Sequence, residues 1–252
     1  MHLLAEEIPP PRGIMKHFGK YEKHGAYHWG MISRDLRHHH LFTAARYELC
    51  LRMMGDIRGR KVLDFGCGDG ALTGLLYKRG AQVTGVDTNE LGISLARQKF
   101  VEHQFKGEFI TDSSALPDNT FDLCVCCEVI EHVDQPDLLL VEIARVLKPS
   151  GIAIISTPIR FTESPLDHEH VKEFFPSEFR QLCETRFRVL ELRQEIPLYK
   201  TEMFLNRSGL WGKIQKGLLN FRSAWLHDNY LLRSTRTQRY FSHQIAKVQK
   251  SL

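Results

Sequence analysis

Apolar and polar positions follow two periods along this chain, one typical of helices and one typical of buried strands. From Asp35 to Met54 apolar residues recur at helical spacing, which predicts a helix. After Gly59 short apolar runs alternate with amphipathic segments, and this order favours a largely parallel sheet covered by helices on both faces. The predicted strands are KVLDF, AQVTGVD, GEFIT, FDLCVCCEV, GIAIIST and FRVLELR. The predicted helices between them are ALTGLLYKRG, ELGISLARQKFVEH, PDLLLVEIARVLK and PSEFRQLCETR.

The two ends of the chain lack this rhythm. Residues 1–34 show no clear period and are expected to form a loosely structured lead-in to a core at residues 35–195. Residues 196–252 are expected to complete the same domain with a helical insertion, a strand and a basic tail. The insertion, NRSGLWGKIQKGLLNF, predicts a basic amphipathic helix with Leu210, Ile214 and Leu218 on one stripe. WLHDNYLLRS predicts one more strand, and TQRYFSHQIAKVQKSL predicts a terminal helix.

Composition and charge place the chain among ordinary globular proteins. Of its 252 residues 42% are hydrophobic and 25% are charged, and no apolar run approaches the length of about 20 residues that spans a membrane. The N-terminus has no secretory pattern, so a cytoplasmic location is expected. The spacing of the six cysteines does not match a zinc site and favours free, buried thiols. The net charge of +4 is concentrated from residue 200 onward, which suggests an anionic partner or a solvated face.

The first predicted strand runs into a glycine-rich turn, VLDFGCGDGALT. Its three glycines stand between a strand and a helix, where open α/β sheets bind ligands. Asp87 ends the second strand, where a carboxylate can hold two ribose hydroxyls, and the turn also fits the GxGxxA pattern of a dinucleotide site. Asp64 precedes the glycines; it would repel a pyrophosphate but suits an ammonium group. Asp112 and Ser113 follow the third strand, where their oxygens can bind an adenine amine.

The fourth predicted strand ends in a polar cluster, CEVIEHV. Glu128, Glu131 and His132 lie within five residues of one another. Two carboxylates and an imidazole can bind a divalent cation, and carboxylates favour Mg²⁺ or Mn²⁺. Without a cation, His132 has the ordinary pKa of a general base at neutral pH. A third interpretation leaves Glu128 to touch a ligand while Glu131 and His132 pack the loop.

From Leu41 to Arg193 the chain resembles the class I methyltransferases that use S-adenosylmethionine. The resemblance rests on VLDFGCGDG, VTGVDTN, TDSSALPDNTFD, CCEVIEHV and ARVLKPSGIAIISTP in this order and spacing. It implies a Rossmann-like, seven-stranded, mostly parallel sheet with helices on both faces and an antiparallel last strand, for which WLHDNYLLRS is the candidate. It also implies that the turn passes the methionine part of the cofactor, that Asp87 holds the ribose, and that Thr88 lies beside the adenine. The implied cofactor-binding residues are Arg46, Asp64, Gly66, Cys67, Gly68, Asp87, Thr88, Asp112, Ser113 and Glu128.

Within this class the chain is most similar to the ubiquinone-biosynthesis O-methyltransferases and to bacterial sugar and natural-product enzymes. These carry an arginine before the first strand, and Arg46 has the matching spacing for a contact with the cofactor carboxylate. The ExxEH sequence resembles that of the ubiquinone enzymes and of the small-RNA 2′-O-methyltransferases of the Hen type. The Hen-type enzymes add a downstream histidine, for which His170 is the better match and His168 the second. The implied metal ligands are Glu128, Glu131, His132 and His170.

These features predict an S-adenosylmethionine-dependent methyltransferase that acts on a hydroxyl of a small molecule, sugar or lipid-linked precursor. Its expected catalytic residues are Glu131 and His132, and Mg²⁺ or another divalent cation is an expected second cofactor. A Hen-type RNA 2′-O-methyltransferase and a catalytically silent S-adenosylmethionine-binding protein are alternatives. A nicotinamide-dependent oxidoreductase is disfavoured by Asp64 and by the EVIEH cluster.

Acceptor recognition is expected outside the shared motifs. The candidate segments are residues 158–175, residues 196–224 and the N-terminal region with Tyr27, His28 and Trp29. The basic amphipathic helix has three alternatives: it caps the active site, it lies on an anionic membrane, or it meets RNA phosphates. Peripheral contact with a membrane is therefore one of the expected partnerships, and RNA is the less favoured one.

Overall fold

A seven-stranded sheet forms the centre of the computed structural model, which describes residues 19–165, 167–206, 209–233 and 240–251. The strand order is β3-β2-β1-β4-β5-β7-β6, and β7 is antiparallel to both of its neighbours. This mixed sheet with an antiparallel last strand confirms the expected fold class. The strands are β1 Lys61–Phe65, β2 Gln82–Val86, β3 Glu108–Ile110, β4 Phe121–Cys127, β5 Leu147–Pro158, β6 Phe187–Pro197 and β7 Phe241–Lys250.

Helices cover both faces of the sheet. Asn89 caps α5 by accepting a hydrogen bond from Gly92 N at 2.8 Å, and Pro136 and Pro176 stand in the first turns of α6 and α7. Proline suits that place because the first amide groups of a helix have no intrahelical acceptor. The helices are α1 Lys20–His24, α2 Tyr27–Met31, α3 Leu41–Met54, α4 Ala71–Lys78, α5 Glu90–Glu102, α6 Pro136–Val146, α7 Pro176–Glu184, α8 Leu198–Leu205 and α9 Gly209–Leu226.

Two hydrophobic clusters, one on each face, bury the parallel strands. Val62 and Val125 lie in the cluster that includes α3, α4 and α5, while Leu63 and Cys124 lie in the one that includes α6 and α7. Strands buried on both faces read as continuous apolar runs, which explains why β4 is apolar from Leu123 to Cys127. All six cysteines are free thiols, as predicted. No described helix is long and apolar enough to cross a bilayer.

The C-terminal region differs from the prediction. Residues 225–234 were expected to form the last strand, but Leu226 ends α9 and Tyr230–Leu232 form a short 3-10 turn. The last strand is instead β7, within the segment predicted as a terminal helix. Ile245, Ala246 and Val248 are buried, and their spacing does not alternate as in a half-exposed strand. Pairing with β5 and β6 satisfies the β7 backbone on both sides, so tertiary contacts override the local pattern.

The N-terminal region is more ordered than expected over its described part. Residues 1–18 lie outside the described residues, but α1 and α2 form two short helices within the predicted lead-in. The predicted helix at residues 35–54 begins later, at Leu41, because His40 caps it by accepting a hydrogen bond from Thr43 N. Asp35 instead holds a turn through Arg37 and His38.

Candidate functional site

The glycine turn between β1 and α4 has a backbone that other residues rarely adopt. Gly66 and Gly68 have φ angles of 78° and 52°. A Cβ atom on Gly66 would lie 2.3 Å from Val129 Cγ2, and one on Gly68 would lie 2.0 Å from Tyr21 Oη. The turn is held by Val86 O, which accepts hydrogen bonds from the amide groups of residues 66 and 67 at 2.7 and 3.0 Å. Glycine is therefore required here for both backbone conformation and space.

Asp87, at the carboxyl end of β2, lies directly beside this turn. Its Oδ2 accepts a hydrogen bond from Gly68 N at 2.8 Å, and its Oδ1 accepts one from Asn89 N at 2.8 Å. Burial raises the pKa of the Asp87 carboxyl above its ordinary value, although both hydrogen bonds oppose the shift. The backbone thus fixes the orientation of Asp87, which lines the cleft together with Thr88.

A cleft of about 810 Å³ opens over the turn, a size within the usual range of small-ligand sites. The helices α1 and α2 form one wall, with Tyr21, Tyr27 and His28. This wall is tied to the turn through Asp69, which accepts from His28 N at Oδ2 (2.9 Å) and from Trp29 Nε1 at its carbonyl oxygen (2.7 Å). Tyr27 and His28 were candidates for the acceptor side. The prediction missed Tyr21, because no local pattern reveals its contact with a glycine 47 positions later.

A buried polar network holds Glu128 at the end of β4. Its Oε2 lies 3.1 Å from Arg46 Nη1 and 3.1 Å from His243 Nε2, and its Oε1 accepts from Ser156 Oγ at 2.8 Å. Burial alone would raise the pKa of the Glu128 carboxyl, but His243, Arg46 and Ser156 hold that pKa well below its ordinary value. Arg46 Nε is buried and has no hydrogen-bond partner among the described residues. His243 lies on the strand that was predicted as a helix, so its role was missed.

Glu131 is fully buried beside this network. Its Oε2 accepts a hydrogen bond from Thr157 Oγ1 at 3.1 Å, while Oε1 is buried without a partner among the described residues. Burial, and then repulsion from Glu128, raises the pKa of the Glu131 carboxyl well above its ordinary value. An unpartnered buried carboxyl oxygen is costly, and such groups are commonly satisfied by a ligand or an ion.

Glu131, His132 and His170 form a compact group in the cleft. Candidate ligand atoms of the three residues all lie within 4.8 Å of one another, and the two imidazole rings are 5.0 Å apart. Glu131 O accepts from the amides of residues 171 and 172 at 2.7 and 3.1 Å, which holds the loop that carries His170. Burial lowers the pKa of His132, so its imidazole is neutral at pH 7. Neutral imidazoles and a carboxyl group can bind a divalent cation or accept a proton.

Several predicted site residues lie apart from this group. Glu128 is adjacent in the cleft but is bound by Arg46, His243 and Ser156 rather than grouped with the two histidines. Asp64 is buried under the turn, where it accepts from Thr73 Oγ1 at 2.6 Å, and it does not line the described cleft. Asp112 and Ser113 are also outside the described cleft lining, and Asp112 accepts from Ser114 N at 2.9 Å. His168 borders the cleft, but its side chain is 96% exposed and it does not belong to the group of Glu131, His132 and His170.

Comparison with known protein families finds a match in the central part of the chain. Residues 63–155 match the family model described as a methyltransferase domain. Ubiquinone biosynthesis O-methyltransferase of Bordetella avium is 29% identical over 156 residues, which are 59% of this chain and 65% of that protein. The enzyme of the same name from Alkalilimnicola ehrlichii is 34% identical over 134 residues, 50% of this chain and 53% of that protein. The chain thus spans between about half and two thirds of the length of these curated relatives.

Solved structures with similar folds extend the match beyond the family model. A SAM-dependent methyltransferase from Aquifex aeolicus gives a TM-score of 0.55 at 19% identity and covers 81% of this chain and 89% of its own. The 1,6-didemethyltoxoflavin-N1-methyltransferase of Burkholderia thailandensis, solved with S-adenosylhomocysteine, gives a TM-score of 0.54 at 18% sequence identity. The match covers 82% of this chain and 77% of that protein. The [4+2]-cyclase SpnF gives a TM-score of 0.58 at 20% sequence identity, and the match covers 83% of this chain and 82% of that protein. Because a cyclase shares this fold, the fold alone does not determine the reaction. Residues 63–155 thus match a methyltransferase domain, and the chain as a whole has the fold of these solved structures.

Proposed function

We propose that this protein is an O-methyltransferase that transfers the methyl group of S-adenosylmethionine to a small-molecule hydroxyl with the help of a divalent cation. One observation carries the proposal: the glycine turn and Asp87 line the same cleft as Glu131, His132 and His170. The sulfonium is already activated, so positioning the acceptor and removing its proton are the main tasks left to the protein.

In this proposal the cofactor lies along the carboxyl ends of β1, β2 and β4. Gly66, Cys67 and Gly68 pass its methionine part, and Asp87 binds the ribose hydroxyls with Thr88 near the adenine. Arg46 binds the cofactor carboxylate, which is supported by its buried Nε, for which the described part of the chain offers no hydrogen-bond partner. The contacts expected from Asp64, Asp112 and Ser113 stay predictions, because these side chains lie outside the described cleft lining.

Glu131, His132 and His170 would hold the cation. The unpartnered Glu131 Oε1 and the lowered pKa of His132 support this assignment, since a cation binds a carboxylate and neutral imidazoles. When bound, the cation would lower the pKa of the acceptor hydroxyl. His132 Nδ1 lies 3.1 Å from Glu169 O, and this contact orients the ring. A mixed carboxylate and imidazole set suits Mn²⁺, Fe²⁺ or Zn²⁺ as well as Mg²⁺.

A hydroxyl acceptor is supported by the curated relatives, whose name is ubiquinone biosynthesis O-methyltransferase. The cleft has a volume of about 810 Å³, which favours a small or flexible acceptor over a folded macromolecule. The acceptor class therefore includes phenols, sugars and the head groups of lipid-linked precursors.

The proposal is tested by methyl transfer from radiolabelled S-adenosylmethionine into fractions of a lysate of the source organism, with Mg²⁺ or Mn²⁺ and with EDTA. We expect label in the lipid or glycan fraction that EDTA abolishes and added cation restores. Label that EDTA does not affect would show that no cation is needed and would leave His132 as the candidate general base. Label in RNA would replace the proposed acceptor, and binding of the cofactor without any label would contradict enzymatic activity.

A further inference from the structure

The loop between β5 and α7 places a buried carboxyl group beside His170. Glu173 is 5% exposed, and its Oε1 lies 2.7 Å from His170 Nδ1. A buried carboxylate is costly unless it has a partner, and among the described residues this imidazole supplies one. Glu173 does not line the described cleft, so it acts on any ligand there through His170.

The backbone around Glu173 is fixed on both sides. Before it, the amides of residues 171 and 172 donate to Glu131 O at 2.7 and 3.1 Å. After it, Phe174 is 2% exposed, and its carbonyl oxygen accepts a hydrogen bond from Gln244 Nε2 on β7 at 2.8 Å. Glu173 therefore reaches the imidazole from a well-anchored segment, which is what a side chain that orients another one requires.

Both histidines of the candidate site are held at the same ring atom. His132 Nδ1 lies 3.1 Å from Glu169 O, and His170 Nδ1 lies 2.7 Å from the Glu173 carboxyl. A carbonyl or carboxylate oxygen accepts and cannot donate, so in a neutral ring each Nδ1 carries the proton. Asp167 Oδ2 lies 3.9 Å from His170 Nε2, which is too far for a hydrogen bond. The lone pair of each ring is therefore on Nε2.

We propose that Glu173 is a positioning residue that keeps the imidazole proton of His170 on Nδ1 and thereby presents Nε2 to Glu131 and His132. This role rests on the proposed function for its purpose, but the tautomer itself is a property of the chain alone. A histidine ligand commonly donates its second ring N–H to a carboxylate or a carbonyl, which fixes the tautomer and the orientation of the ring. His132 is held by a backbone carbonyl, whereas the partner of His170 is a side chain that substitution can remove.

Long-range ¹H–¹⁵N NMR spectra of the full-length protein with labelled histidine test this inference without metal or cofactor. At about pH 8 an ordinary imidazole is neutral, so its tautomer can be read directly. The His170 signals are assigned by their loss in His170→Gln. We expect the Nδ1–H tautomer for His170 in the unmodified protein and a change toward Nε2–H in Glu173→Ala, which lacks the acceptor. His132 should keep its tautomer in that variant, because its acceptor is a backbone carbonyl.

Calorimetric titration with Mn²⁺ measures what the orientation of His170 contributes to ion binding. The affinity of Glu173→Ala should be about 10- to 100-fold lower than that of the unmodified protein. Glu173→Gln keeps an oxygen that can accept the Nδ1 proton, so it should restore most of the affinity. Glu184→Gln is the matched control, because it removes a carboxylate that is 48% exposed and paired with Arg180 on α7, and its affinity should not change.

Three results would overturn the inference. They are an Nε2–H tautomer of His170 in the unmodified protein, an unchanged tautomer in Glu173→Ala, and equal Mn²⁺ affinities of Glu173→Ala and Glu184→Gln. The first of these decides even where Glu173→Ala fails to fold, which circular dichroism would show. An unmodified protein that binds no Mn²⁺ would contradict the cation in the proposed function, whereas the tautomer spectra would still decide the role of Glu173.

Discussion

At the residue scale, two glutamates three positions apart occupy opposite electrostatic environments. Glu128 is held ionised by Arg46, His243 and Ser156, whereas burial and the Glu128 charge favour the protonated form of Glu131. Such divergence between neighbouring carboxyl groups is common where one group binds and the other exchanges a proton or an ion. The proposed chemistry therefore depends on Glu131, His132 and His170.

Replacing His132 by alanine should remove methyl transfer but not cofactor binding. We expect kcat to fall by about 100-fold or more, since the variant lacks the imidazole that would bind the cation or accept the proton of the acceptor hydroxyl. The affinity for S-adenosylhomocysteine, measured by calorimetry, should change little. Glu131→Gln should behave in the same way.

His168→Ala is the matched control, because His168 lies two residues from His170 but its side chain is 96% exposed. Its activity should equal that of the unmodified protein. Wild-type activity in His132→Ala, or an equal loss in His168→Ala, would contradict the assignment.

The buried Asp64 should make stability depend on pH. Burial raises the pKa of its carboxyl from 3.8 to about 7. The contribution of Asp64 to the free energy of unfolding is fully present below the pKa of the carboxyl in the unfolded chain. It is lost as pH rises through about 7, because the folded chain must then hold a buried charge. The free energy of unfolding of the unmodified protein minus that of Asp64→Asn should therefore fall between pH 4 and 7, by at most about 1.4 kcal/mol per pH unit. Urea titrations of the cofactor-free proteins measure it, and a difference independent of pH would contradict this prediction.

At the element scale, the glycine turn is the part of the site most sensitive to an added methyl group. Gly66→Ala should destabilise the protein by about 1–3 kcal/mol, because it combines a positive φ with a Cβ atom 2.3 Å from Val129. It should also weaken binding of S-adenosylhomocysteine. Gly217→Ala on α9 is the control, since nothing lies within 4 Å of its Cβ position, and it should stabilise by up to about 1 kcal/mol. Equal melting temperatures for the two variants would show that the turn tolerates a side chain.

The elements of the core could be predicted from sequence because each carries its own signal. The strand β4 is apolar from Leu123 to Cys127, and α6 begins with proline and keeps a helical period. The strand β7 could not be predicted in this way, since its conformation depends on pairing with β5 and β6. The same error concealed His243, whose contact with Glu128 joins residues 115 positions apart.

At the scale of the whole molecule, β7 joins β5 to β6 and supports the site. Deleting residues 241–252 removes three buried core residues, leaves β6 without a strand partner and exposes the edge of β5 that pairs with β7. We expect loss of cooperative thermal unfolding, measured by circular dichroism, and aggregation. Deleting Ser251 and Leu252 alone should preserve the melting transition. A longer deletion that still unfolds cooperatively would contradict the role of β7.

The site as a whole could be predicted only where its residues belong to linear motifs. The turn, Asp87 and the EVIEH cluster follow β1, β2 and β4, which are neighbours in the sheet, so parallel topology brings them to one edge. Other features of the site depend on contacts between distant segments. These are the wall built by Tyr21, the contact of Glu128 with His243 on β7, and the burial of Asp64. These contacts carry no local period, and only the folded chain reveals them.

The most direct test of the central claim is a crystal structure of the protein with S-adenosylhomocysteine and Mn²⁺, with anomalous data that locate the manganese. The account predicts an anomalous peak bound by Glu131, His132 and His170, and a cofactor whose ribose lies on Asp87 and whose sulfur faces that peak. A cofactor bound in this way without the peak would contradict the role of the cation. A cofactor bound elsewhere, or with its sulfur directed away from His132, would contradict the assignment of the site itself.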